Sequence, residues 1–257
     1  ETAEWNGGLG FAPVGSSGAR FNGSFDGRGH YISGLTIQRP GTRYVGLFGY
    51  AERVSMYNVN LIDVDIGGGS FTGALLGYAG VFSAASSIKN VNVSGHVKGL
   101  ATPAESYVEG IGGVVGSISA YGSHTFDMSG LFSSASISNV YSSAGGLIGV
   151  LYTNSSGATL SLAQSAFSGS VSDVNYYGGG LVGGGTAYSG TNIIFQDVYS
   201  TGNIQANINA AGLCGNCYAY SGNITFTNVY ASGAVSGTSG SGGIVGYGHT
   251  YQGILTF

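Results

Sequence analysis

Gly243-Ile244-Val245-Gly246 is a tetrapeptide that this chain repeats. It returns as Gly46-Leu47-Phe48-Gly49, Gly113-Val114-Val115-Gly116, Gly146-Leu147-Ile148-Gly149, Gly180-Leu181-Val182-Gly183 and Gly212-Leu213-Cys214-Gly215, with Ala74-Leu75-Leu76-Gly77 as a looser copy. The later copies recur about every 31–34 residues, a period that belongs to repeat architectures rather than to a mixed globular domain.

Each unit around that tetrapeptide holds three short apolar segments separated by Gly, Ser and Asn. In one of the last units Asn223-Ile224-Thr225-Phe226-Thr227-Asn228-Val229-Tyr230 alternates with period two, Ser232-Gly233-Ala234-Val235-Ser236 follows, and Gly243-Ile244-Val245-Gly246-Tyr247 closes. The preceding unit repeats the plan with Ile193–Tyr199, Thr201–Ile204 and Gly212–Gly215. Segments this short and this evenly spaced are strands, and no 3.6-residue periodicity is sustained. The expected fold is all-β, a parallel β-helix or β-solenoid of about seven coils in which each strand pairs with its equivalent about 4.8 Å along the axis. Val229 and Ile244 are expected to point inward. The flanking glycines suit corners that need positive φ or a close backbone approach. A charge at Leu181 or Ile244 is expected to do far more damage than a change at Ser239.

Residues 1–43 read as an N-terminal cap plus the first coil, since they hold the only Trp and two of the three Pro, and a solenoid needs an atypical unit to cover its end. Residues 44–257 read as one continuous solenoid. Pro103, Glu105 and Glu109 lengthen one unit and map to a surface loop. Gly253-Ile254-Leu255-Thr256-Phe257 matches Gly222–Phe226, the opening of the previous unit. The reading is therefore an uncapped C-terminal end, which invites strand addition from a longer chain or from a partner.

Composition narrows the partners. Charged residues are 7% of the chain, and all seven Lys and Arg lie at or before Lys98. A polyanion is held by Lys and Arg on its phosphates, so nucleic acid is a poor partner. No apolar run approaches the ~18 residues that span a bilayer, so membrane insertion is not expected. Glu1-Thr2-Ala3-Glu4-Trp5 reads as a mature start after processing. Sequons at Asn22, Asn92, Asn154 and Asn223 are candidate glycosylation sites in an extracellular or cell-surface protein.

The early residues also carry a resemblance. Phe21-x-Gly23-x-Phe25-Asp26-Gly27-x-Gly29-x-x-Ile32-x-Gly34-Leu35, followed by Tyr44-Val45-Gly46-Leu47-Phe48-Gly49 and the later Gly-Leu-Val-Gly copies, resembles the GLUG-motif repeat proteins. That resemblance implies a secreted or surface-attached β-solenoid of the filamentous-haemagglutinin-like adhesin kind, with no catalytic residues to carry over.

The remaining candidates are thin. Cys214 and Cys217 form a single Cys-x-x-Cys, with no second pair to complete a zinc site. Cys214 sits in the slot of Val182 and Val245 and reads as core; a local disulfide is the other reading. No cofactor is expected. His30, His96, His124 and His249 share no spacing. Asp63 and Asp65, two apart on a strand, would project from one face as an acid–base pair might, with Lys89 the nearest basic partner. Thr125, Thr159, Thr225 and Thr256 occupy similar positions in their units. Eighteen tyrosines are the most suggestive surface feature. Tyr141, Tyr199 and Tyr230 follow the same strand, and Tyr152 joins Tyr176, Tyr177, Tyr188, Tyr218 and Tyr220 near turns. Of these, Tyr176, Tyr177, Tyr188, Tyr218 and Tyr220 are the candidate glycan or partner contacts, because aromatic rings give contact area at low entropic cost. Three functions follow from this reading. The first is a non-catalytic structural or adhesive stalk that meets other copies or neighbouring segments end to end. The second is a carbohydrate-binding module built on the tyrosines, and the third a polysaccharide-degrading enzyme.

Overall fold

The computed structural model describes residues 2–103 and 107–257; Glu105 of the lengthened unit lies outside them. The chain winds into a parallel β-solenoid of about seven turns. Three of the apolar ladders of its core can be followed from coil to coil. The first is built on the third position of the tetrapeptide and runs Phe48–Leu76–Val115–Ile148–Val182–Cys214–Val245. The second runs Phe25–Met56–Ile88–Met128–Leu162–Phe195–Phe226, and the Phe257 ring stacks 5.3 Å beyond Phe226. The third runs Ile37–Ile66–Val97–Ile137–Val171–Ile204–Val235. Each pairing is parallel and joins a residue to its counterpart one coil on. An apolar residue at one rung therefore meets an apolar residue at the next, and each fully buried aliphatic contributes about 1.5–3 kcal/mol.

Two features were not legible beforehand. The tetrapeptide begins one copy earlier, as Ala12-Pro13-Val14-Gly15: Val14 bridges Phe48 in parallel, and its amide donates to the Leu47 carbonyl. Proline in place of leucine and the absence of the first glycine hide it. Ahead of it, the segment through Gly10 lies against Thr36–Arg39, with an antiparallel bridge from Gly10 to Ile37 and two hydrogen bonds between Thr2 Oγ1 and the Thr36 backbone. That contact occupies backbone groups which an open first coil would leave unpaired.

The second concerns the corners. Apart from Gly15 of the first copy, at φ 83°, none of the tetrapeptide glycines has positive φ. The left-handed corner falls instead on the column Asn58–Asn90–Gly130–Gln164–Asp197–Asn228, whose φ values lie between 49° and 64°. Asn and Asp tolerate this region because their short side chains bond locally. Here they also bond along the axis. Asn58 Nδ2 donates to Asp26 Oδ1 at 3.1 Å, Asn90 to Asn58 at 3.2 Å and Asn228 to Asp197 at 2.9 Å. The Arg28 backbone N–H, and then the Asn58 amide, hold the Asp26 carboxyl below the usual carboxylate range.

The glycines serve close approach. A Cβ on Gly180 would overlap the Gly212 carbonyl oxygen of the next coil and the Ser200 hydroxyl, and the same contact repeats from Gly146 to Gly180 and from Gly212 to Gly243. Position along the axis also matters. Leu181 is fully buried, whereas Ile244, Val245 and Val229, on the last rung, are only half-buried. Val229 and Ile244 pack against the core as expected, though less deeply than the inner rungs.

Candidate functional site

Outward positions on the strands that follow each tetrapeptide, such as Val182–Tyr188 and Cys214–Tyr220, alternate with the core ladders. Aromatic residues recur there, so the coils stack them ring on ring. Phe82 stacks on Tyr121 at 5.2 Å, Tyr121 reaches Tyr152 and Tyr152 reaches Tyr188 at 5.8 Å, and Tyr188 stacks on Tyr220 at 5.1 Å. Tyr220 and Tyr218 then contact His249. At the other end the Arg20 guanidinium lies over Tyr50 and Phe82, and it pairs with Glu52 at 2.8 Å.

A second ladder lies on another part of the coil. Tyr107 meets Tyr141 edge-on at 4.5 Å, Tyr141 meets Tyr176 at 5.3 Å, and Tyr176 meets Tyr177 at 5.9 Å. The hydrogen bond to the Tyr176 phenol is the main reason that the Tyr141 hydroxyl is pushed up from its ordinary range. The five tyrosines named from sequence are all half-buried and divide between these ladders: Tyr188, Tyr218 and Tyr220 on the first, Tyr176 and Tyr177 on the second. Tyr141 does not share a column with Tyr199 and Tyr230. Those two pair with each other, are 45% and 58% exposed, and continue a column through Ala166 to Phe132.

Other expectations change. The strand is irregular between Leu61 and Val64, and Asp63 takes φ of 53°, so Asp63 and Asp65 are not successive residues on one regular face. The partner of Asp65 is Lys98 at 3.0 Å, and not Lys89. Thr125 pairs with Thr159 and Thr225 with Thr256, but these are two different columns, since Thr159 is followed by Asn192 and Asn223. Cys214 lies between Val182 and Val245 as expected. It and Cys217 are free, fully buried thiols, and burial pushes the Cys217 thiol up. No cluster of metal-ligating side chains occurs among the described residues. Among them, no helix is long and apolar enough to cross a membrane.

The four sequons separate by the state of the amide nitrogen that a glycan would occupy. Asn92 Nδ2 donates to Asn60 at 2.8 Å, and Asn223 Nδ2 donates to Asn192 at 3.1 Å, so a sugar on either displaces a ladder bond. Asn22 is exposed where the strand Phe21–Asp26 bulges, and Asn154 is exposed just beyond its strand, where its amide bonds the Tyr152 hydroxyl and no residue of the asparagine ladders. Glycopeptide mass spectrometry of protein from a glycosylating source is expected to find sugar on Asn22 and Asn154 ahead of the other two. Full occupancy of Asn223 would contradict this ranking.

No family model matches the chain, and no solved structure matches it. Among curated proteins it is similar to halomucin from Haloquadratum walsbyi, 33% identical over 124 residues. The match covers 48% of this chain and 1% of halomucin.

Proposed function

We propose that the chain is a non-catalytic structural segment of an extracellular, surface-attached protein. In this reading it is a length of β-solenoid stalk joined end to end with neighbouring segments, and its outer faces serve adhesion. The observation that carries the reading is the continuity of the three core ladders. Each coil presents the same apolar cross-section to the next, so a longer stalk is made by adding coils, at about 4.8 Å each. The likeness to halomucin, whose name likens it to a mucin, supports an outer-surface setting. The GLUG-like residues point the same way. Sparse charge also suits a surface solvated by Ser, Thr, Asn and Tyr.

Electron microscopy of the protein isolated natively from cells that make it, with immunogold labelling of intact cells, tests this reading. Extended fibres or a labelled outer layer are the expected result. Label confined to the cell interior, with dispersed single particles in the isolate, would overturn it.

A further inference from the structure

We infer that a groove beside the second tyrosine ladder binds a neutral oligosaccharide. This goes beyond the stalk reading and does not rest on it. The groove encloses about 350 Å³, within the range of small-molecule sites. Val108, Val140 and Val174 lie buried behind it, each at most 3% exposed, and set its shape. Tyr141 is on its lining, with its ring fixed between Tyr107 and Tyr176. The rest of the lining is Ala101 and the polar residues Asn139, Asp173, Asn175, Gln205 and Asn207.

The free valences of those polar groups identify the ligand. Asn139 Nδ2 is committed to the Gly99 carbonyl, and Asn207 Nδ2 donates to Asn175 Oδ1 at 2.9 Å. Among the described residues that leaves the Asn175 Nδ2 donor, the Asn207 Oδ1 acceptor, the Gln205 amide and the Asp173 carboxylate, whose one side-chain partner is Ser172 at 3.5 Å. A mixed set of amide donors and acceptors with one carboxylate matches vicinal hydroxyls, which donate and accept side by side. The phenol ring of Tyr141 and the Ala101 methyl suit the C–H faces of a sugar. No Lys or Arg lines the groove and Asp173 repels anions, so sialylated and sulfated glycans are disfavoured.

The groove is not closed at one coil. A second depression of about 260 Å³ shares Gln205 and Asn207 and continues to Ser236 and Thr238 on the next coil, where the Thr238 hydroxyl donates to the Asn207 carbonyl. Polar positions thus recur along the axis at about the 4.8 Å strand spacing. That suits a chain of sugars laid along the solenoid rather than a single ring.

The test is an oligosaccharide array probed with the full chain. The array carries neutral gluco-, galacto-, manno- and N-acetylglucosamine oligomers beside sialylated and sulfated ones, and a retained oligomer then goes to titration calorimetry. Retention of at least one neutral oligomer is expected. Asp173→Asn and Gln205→Ala are each expected to weaken it tenfold or more, and Tyr188→Ser, on the other ladder, to leave it within twofold. The substituted polar side chains are exposed, and unchanged melting curves would show that both variants fold. Retention of no neutral oligomer, retention of anionic ones alone, or affinity indifferent to Asp173 and Gln205 would each overturn the assignment. Loss with Tyr188→Ser alone would move binding to the first ladder and would equally sink it.

Discussion

Gly180→Ala is expected to destabilise the chain by about 3 kcal/mol or more, the upper end of overpacking costs, while Gly243→Ala stays within about 0.5 kcal/mol. The two glycines hold the same place in the same tetrapeptide. A Cβ at Gly180 meets the Ser200 hydroxyl and, more rigidly, the Gly212 carbonyl oxygen in the backbone of the next coil, so relief requires the ladder itself to part. A Cβ at Gly243 meets nothing within 4 Å. Neither glycine has positive φ, so backbone strain is not involved and the comparison isolates close approach. Urea denaturation followed by circular dichroism reads the difference as a shift in midpoint. Equal shifts for the two variants would refute close approach as the reason for the first glycine.

Leu181→Asp is expected to prevent folding, whereas Ile244→Asp yields a folded protein weakened by about 1–2 kcal/mol. Leu181 is fully buried, its amide donates to the Leu213 carbonyl, and Leu147 donates to its own carbonyl, so it is fixed on both sides. A carboxylate there loses the leucine's burial, about 2–3 kcal/mol, and adds several more for an unpaired charge. The sum rivals a typical whole-domain stability of about 5–15 kcal/mol. Ile244 is half-buried on the last rung, and a charge there reaches water. Soluble yield and the urea midpoint check the pair. Leu181→Ala, a smaller insult of about 2–5 kcal/mol, keeps the test informative if Leu181→Asp is insoluble. A folded Leu181→Asp with a midpoint equal to that of Ile244→Asp would show that the rungs are energetically alike.

The carbohydrate question shows how far the residues alone lead. Tyrosine abundance marks the surface of the coil as aromatic, yet the groove is made by Asp173, Asn175, Gln205 and Asn207, none of which stands out in the sequence. They come together because Val140 bridges Val174 and Val174 pairs with Ala206, which sets their flanking polar residues side by side on successive coils. The signal that could have found them is the recurrence of Asn or Asp next to a buried valine at one-coil spacing.

The sequence by itself determined the repeat, the three strand segments per coil and the identity of the core rungs, because a parallel in-register stack pairs each residue with its own counterpart. Val182, Cys214 and Val245 could thus be aligned by counting. Tertiary structure decided two further things. One is the column on which an outward residue falls: the irregularity between Leu61 and Val64 moves Asp63 away from Asp65, and Tyr141, which follows Val140 on the column of Val174, lies on a different part of the coil from Tyr199, which pairs with Ala166. The other is how deeply an inward residue is buried. That depends on having a coil on both sides, so within these 257 residues Leu181 and Ile244, alike in sequence, differ in the energy that holds them.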